Sequence, residues 1–274
     1  MASLIGQAPA SFFKDLVHIS NSNAGVDSTL RKIYDGNGNV TAIYLSDDNF
    51  KVQPNNDDTI AAFNVVSKAG NSILTVDTDN GKVNVGRSQV AANTQYAHFG
   101  ISRLDIQWSS QLADTWYAVP FMTSSFSINT IANMALGTAN TSTFNDTDPA
   151  SSLTIATTAH DIVGAYWYVM DNITVDAVHW FHGADAATGD STAARLMAYD
   201  IDVSNNSTSG DLSNGFDVAK GAAITNAGYE QVYHQILEMQ TADVDAGQVI
   251  LFTFASDTVN SDFSINATVK YHIR

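Results

Sequence analysis

Cysteine is absent from this 274-residue chain. A disulfide scaffold, a CxxC redox site and a thiolate zinc site are therefore excluded. Basic residues are scarce as well: 12 Lys+Arg stand against 28 Asp+Glu, for a formal net charge of −16. A nucleic-acid binder needs a basic surface to neutralise phosphates, so nucleic acid is not an expected partner. The longest nearly apolar run, residues 162–170, is about half of what a bilayer-spanning helix requires, and no membrane insertion is expected. The start, MASLIGQAPASFF, has no basic residue ahead of its apolar run and lacks the layout of a signal peptide. There is no GxSxG elbow, no GxxxxGK[ST] loop and no HExxH pair, so the chain is not expected to be an enzyme.

Glutamate is nearly missing. Only Glu230 and Glu238 occur among the 28 acidic residues, and the other 26 are aspartate. Glutamate favours helices, whereas aspartate competes with the helical backbone and prefers turns and caps. With 45% hydrophobic residues the chain can bury enough apolar surface to fold. Strands joined by polar turns are the expected result, and the fold class is all-β.

Three regions differ in texture. Residues 1–60 are turn-rich, through NSNAG, DGNGN and PNNDD, with one amphipathic helical turn or two expected around Phe12 to Ile19. Phe12, Phe13 and Leu16 mark this segment either as a frayed terminus or as an arm that docks on something else. Residues 61–100 hold the clearest local signal. Ile73-Leu74-Thr75-Val76 leads through Asp79-Asn80-Gly81 into Lys82-Val83-Asn84-Val85, which predicts a hairpin with a type I′ turn at Asn-Gly. The resulting meander of about three strands is too small to bury a core alone, and packs on a neighbour or on copies of itself.

Residues 101–274 read as a larger β domain. From Phe263 to Ile273, apolar side chains alternate with polar ones, as in a half-buried antiparallel strand. Residues 248–255 (QVILFTFA) are apolar on both faces, as a central strand would be. Further strands are expected at 116–122, 125–134, 153–157, 161–170, 173–182, 195–203 and 230–240. Long loops are expected at 183–194 and 204–228. That count and spacing suit a jelly-roll-like β-sandwich.

Chemistry-bearing candidates are few. His179 and His182 in HWFH point to opposite faces of a strand and cannot share one metal ion. His160, His234 and His272 have no acid–base partner nearby in sequence. Trp116, Tyr166 and Trp180 could line a glycan platform, although aromatics on sandwich strands are more often core. Asp77 and Asp79 resemble the front of an oxygen-ligand loop for Ca2+, against the plainer reading as a hairpin turn. Asp35-Gly36-Asn37-Gly38-Asn39 has too few glycines and no basic neighbour for a phosphate loop, and is expected to be a turn.

The segment from Lys14-Asp15-Leu16 through Gly25-Val26-Asp27, Thr29-Leu30-Arg31, Asp35-Gly36, Gly38 and Leu45-Ser46 resembles the N-terminal module of many tailed-bacteriophage virion proteins. Residues 73–86 are similar to the short β units of trimeric phage fibres. The final third resembles jelly-roll tip domains of marine phage fibre and head-decoration proteins. The resemblance implies a structural virion protein on the particle exterior. Residues 1–60 would attach it, with Phe12, Phe13 and Leu16 as anchors. Residues 61–100 would trimerise it, and 101–274 would project outward. Its partners would be copies of itself and capsid or other virion proteins. Shortness favours a capsid decoration or head fibre; the alternative is a tail-fibre or receptor-binding protein that recognises host-surface carbohydrate.

Overall fold

The computed structural model describes residues 16–22, 24–105 (backbone only over 102–105), 112–121, 135–139, 147–155, 162–258 and 261–274. The chain is all-β and divides into two compact units, 1–93 and 94–274. The larger unit thus begins earlier than the residue 101 expected from the sequence.

The smaller unit holds two four-stranded antiparallel meanders. The first comprises β1 (His18–Ile19), β2 (Arg31–Tyr34), β3 (Val40–Leu45) and β4 (Phe50–Val52). Residues 18–19 are therefore a strand paired with Ile33 and Tyr34, and not the end of a helical turn. Cross-strand hydrogen bonds win over a helical preference that so short a segment cannot realise. Between β2 and β3 the Asp35 carboxylate accepts the backbone N–H groups of Asn37 and Asn39, at 2.9 and 2.8 Å. DGNGN is thereby a closed turn, as expected.

The second meander comprises β5 (Phe63–Val66), β6 (Ser72–Asp77), β7 (Lys82–Val85) and β8 (Val90–Ala91), one strand more than the sequence suggested. The hairpin between β6 and β7 is present, but Asp77 pairs with Lys82, leaving a four-residue loop in place of a two-residue type I′ turn. The Asp77 carboxylate accepts the Asn80 backbone N–H (2.9 Å), which widens the turn until only Gly81 needs a positive φ, 64°. Strand register sorts the side chains. Phe63, Val76 and Val83 stand side by side, as do Val65, Leu74, Val85 and Val90, all on one face. On the other face, beside exposed Ile73, Thr75 donates to Gln89 (2.7 Å), which reaches back to the Gly86 carbonyl.

In the larger unit, one sheet runs β9 (Thr94–Asp105), β20 (Asp262–Ile273), β12 (Ile173–Asp185) and β16 (Gln231–Ile236), with β18 (Asp243–Val244) beside β12. The other runs β10 (Tyr117–Ala118), β19 (Gln248–Ser256), β13 (Ser191–Ile201), β14 (Leu212–Lys220) and β17 (Glu238–Met239). Short β11 (Trp167–Tyr168) joins β19, and β15 (Ile224–Thr225) joins β13. β13 and β14 are successive and sheet neighbours, whereas the chain passes to the opposite sheet between β12 and β13, β14 and β16, and β19 and β20. Inward side chains of both sheets, among them Phe99, Val178, Trp180, Leu196, Phe252 and Ile265, form one buried core, the signature of a β-sandwich.

Several expected elements are different. β14 lies inside the expected 204–228 loop; Asn214 sits at φ 52°, and the β13 register slips twice, so no alternation marks the strand in sequence. β9 was not foreseen, because Tyr96 places an aromatic ring on its polar side. The expected 161–170 strand is a 3₁₀ turn at Val163–Ala165 followed by two paired residues. The 230–240 strand breaks at buried Leu237, where the chain leaves one sheet for the other. The 125–134 strand lies outside the described residues, as does all but the first part of 153–157.

β13 and β19 are buried on both faces, as the QVILFTFA run predicted for β19. Their outer faces carry Ala193, Met197, Tyr199, Val249 and Leu251, covered by Trp116, Leu136, Ile155 and Ile162 from the irregular segments. This layer encloses a charge. Arg195 is fully buried; its Nε donates to Asp148 (3.2 Å), and Nη1 donates to the carbonyls of Ala194 and Gly221. Burial raises the Asp217 carboxyl to about 7, helped by its hydrogen bond and charge repulsion with Asp148. In the main core His182 stacks on Trp180 (4.5 Å), and burial lowers its imidazole to about 4.

These two groups pull stability in opposite directions. Between pH 4 and 6.5 the unfolded chain binds the His182 proton and the fold does not, so acid destabilises through His182. Between pH 3.8 and 7 the fold holds the Asp217 proton and the unfolded chain does not, so acid stabilises through Asp217. Asp217→Asn is expected to raise stability by about 1–2 kcal/mol at pH 8 after discounting for partial exposure, and by nothing at pH 4, measured by denaturant titration. Trp180→Ala is expected to cost about 3–5 kcal/mol and Phe181→Ala under about 1, since adjacent residues of β12 face core and solvent. Equal losses in that second pair of titrations would refute the strand's assigned orientation.

Candidate functional site on the open sheet face

The sheet of β9, β20, β12 and β16 buries one face in the sandwich core and leaves the other open. Strict alternation builds that open face. Along β20, Ser264, Asn266, Thr268 and Lys270 point away from the buried row Phe263, Ile265, Ala267 and Val269. This is the alternation read from the sequence, and it holds up to Tyr271; Ile273 is exposed. Along β12, His179 and Phe181 point outward between buried Val178, Trp180 and His182.

Cross-strand register turns these single positions into rows. Ile236, His179, Thr268 and His98 stand abreast over β16, β12, β20 and β9. His234, Phe181 and Asn266 form the next row. Four of the chain's seven histidines therefore lie on the open face of this sheet: His98, His179 and His234, with His272 near its end. His179 Nδ1 lies 3.2 Å from His234 Nε2, and the two rings meet edge to edge with centroids 5.4 Å apart. Phe181 stacks on His234 with ring centroids 4.4 Å apart. His98 Nδ1 is 3.1 Å from the Thr268 hydroxyl, and His272 Nδ1 is 3.0 Å from the Asp176 carboxylate. Phe181 and Tyr96 remain 48% and 58% exposed, so the face offers two aromatic rings among imidazole, amide and hydroxyl groups.

The HWFH histidines do face opposite ways, His182 into the core and His179 outward. Partners for His234 and His272 come from neighbouring strands, 55 and 96 residues away in sequence, where no local motif could reveal them.

The glycan candidates require correction. Trp116 and Trp180 are fully buried: Trp116 packs under the Arg195 guanidinium (5.2 Å) and Trp180 donates to Gln235 (3.1 Å) inside the sandwich. Tyr166 is half-buried and its hydroxyl donates to the Gly210 carbonyl at 3.0 Å. Burial of a large ring contributes more to folding than display does, which is why these three do not form a platform. Asp77 is buried with both carboxylate oxygens on Asn80, while Asp79 is exposed in the turn. Burial acts to raise the Asp77 carboxyl, yet the Asn80 hydrogen bonds outweigh it and the net displacement is downward. Among the described residues no group of three or more His, Asp or Glu is arranged to hold a metal ion. Leu16 is exposed; Phe12, Phe13 and His160 lie outside the described residues.

No family model matches the chain, and no curated protein matches it. Among solved structures it is similar to the CBM22-1 and GH10 modules of xylanase 10B from Clostridium thermocellum in complex with xylohexaose, at 10% identity and a TM-score of 0.22. The match covers 64% of this chain and spans only 29% of that one. Superposition that loose carries no argument about fold or ligand.

Proposed function

We propose that this chain is a structural protein of a tailed-bacteriophage particle, attached outside through its N-terminal region and projecting its β-sandwich as a homotrimer. A capsid decoration or head fibre is the form favoured. The observation that supports this reading is the apolar face of the β5–β8 meander. Phe63, Val65, Val83, Val85 and Val90 on that face are each 38–41% exposed. Among the described residues of 16–93 the only buried side chains are Ser46, Thr75 and Asp77, so no described apolar side chain of this unit is buried. An uncharged apolar sheet face of this kind marks an interaction surface, and two further copies around a three-fold axis would bury it. The resemblance of residues 14–46 to phage virion modules supplies the particle, and that of residues 73–86 to fibre units supplies the three-fold. The sandwich is taken as a jelly roll, supported by a chain that repeatedly passes between its two sheets.

Light scattering of the purified chain is expected to give three times the 29.3 kDa monomer mass. Val65→Asp with Val85→Asp is expected to dissociate it while the sandwich keeps its far-ultraviolet and tryptophan spectra. A monomeric parent at micromolar concentration would dispose of the trimer. Removal of residues 1–13 is expected to abolish incorporation into particles without altering mass or fold; normal copy number in particles would overturn the anchoring role.

A second reading, recognition of host-surface carbohydrate, is favoured by one observation: Tyr96 and Phe181 stand exposed among polar groups on the open face. Tyr96→Ala with Phe181→Ala would then cut binding to host surface polysaccharide at least tenfold and leave the trimer intact. Unchanged binding would remove that face from consideration.

A further inference from the structure

The geometry points to a first-row transition-metal site made by His179 and His234 on the open face of the sandwich. Two nitrogens bound to one tetrahedral zinc ion at about 2.0–2.1 Å lie about 3.3 Å apart. His179 Nδ1 and His234 Nε2 are 3.2 Å apart, close to that separation, so an ion taking the place of the proton between them needs each ring to tilt by about 35° without changing their spacing. The two strands that carry them are bonded over a six-residue register, which fixes the backbone beneath both rings. Phe181, stacked on His234, limits the rotation of that imidazole. The backbone beneath both rings is therefore set before any ion arrives, which reduces the entropy cost of binding.

Ligand chemistry selects the ion. Imidazole nitrogens suit zinc, nickel and copper, while Ca2+ and Mg2+ require oxygen donors. His98 is not a third ligand, because Thr268 stands between it and His179 and takes its Nδ1. The ion would keep two coordination positions for water or for a donor from another molecule, as open sites do. A net charge of −16 favours cation approach from bulk solution.

The test uses the full chain, with zinc chloride as the probe in calorimetry and copper(II) in electron paramagnetic resonance. One ion per chain is expected, with a copper signal split by two imidazole nitrogens. His179→Gln and His234→Gln should each weaken binding at least tenfold, while His98→Gln leaves it unchanged. Circular dichroism of each variant checks that the fold is retained, which is expected because His234 is exposed and glutamine suits a strand face. Absence of heat below about 1 mM Zn2+ would overturn the proposal. Binding that survives the double variant, or that is lost in only one single variant, would overturn it equally.

Discussion

The larger unit is governed by one constraint: β13 and β19 are apolar on both faces. A two-layer sandwich can bury only one side of a sheet, so a third layer must cover the other. Irregular segments around Trp116, Leu136, Ile155 and Ile162 provide it. The consequence for polar groups is direct. Arg195 lies on a strand whose two faces are sealed, and its guanidinium has no route to solvent. Asp148 and two carbonyls must satisfy it, since an unpaired buried charge would cost several kcal/mol. Gly215 fits the same demand. A Cβ there would run into the Tyr199 ring and the Ser151 backbone, so only glycine lets the cover approach.

The smaller unit meets the opposite difficulty. Its sheets have one apolar face each at most and no third layer among the described residues, so burial has to come from outside the sheet. Turn chemistry holds the strands in register: Asp27, Asp35 and Asp77 each accept hydrogen bonds from nearby turn groups. Register in turn collects seven apolar side chains on one side. Local polar bonds thus set up an apolar surface that association is needed to cover.

What the sequence revealed follows from the period of its signals. β20 was legible because strict alternation over its length admits one orientation, and β19 because a short apolar run with no polar face reads as a central strand. β14 was hidden since its positive-φ residue and two register slips erase the alternation. The open-face histidines were hidden for another reason. His179 and His234 meet through strand pairing over 55 residues, and pairing order is a property of topology. Only the opposed directions of His179 and His182 were local enough to read. Trp116 and Trp180 misled as display candidates because composition cannot tell an aromatic under a third layer from one on a surface.

The acidic charge and the imidazole face are linked by this division of labour. At several turns nearby donors hold aspartate ionised. The Arg31 guanidinium and the Thr29 N–H keep Asp27 at about 2, and hydrogen bonds from Asn39 and then its backbone lower Asp35. Asp202 is lowered in the same way by Ser204 and Thr208. Aspartate spent on turn closure is unavailable for paired-carboxylate chemistry, whatever its abundance. The open sheet face lies between turns, and its side chains are free of that duty. Its groups are imidazole, amide, hydroxyl and aromatic, set in rows by the same ladder hydrogen bonds that hold the sandwich together. A ligand for this surface would meet nitrogen donors and flat rings on a rigid sheet, within a molecule whose overall field draws cations toward it.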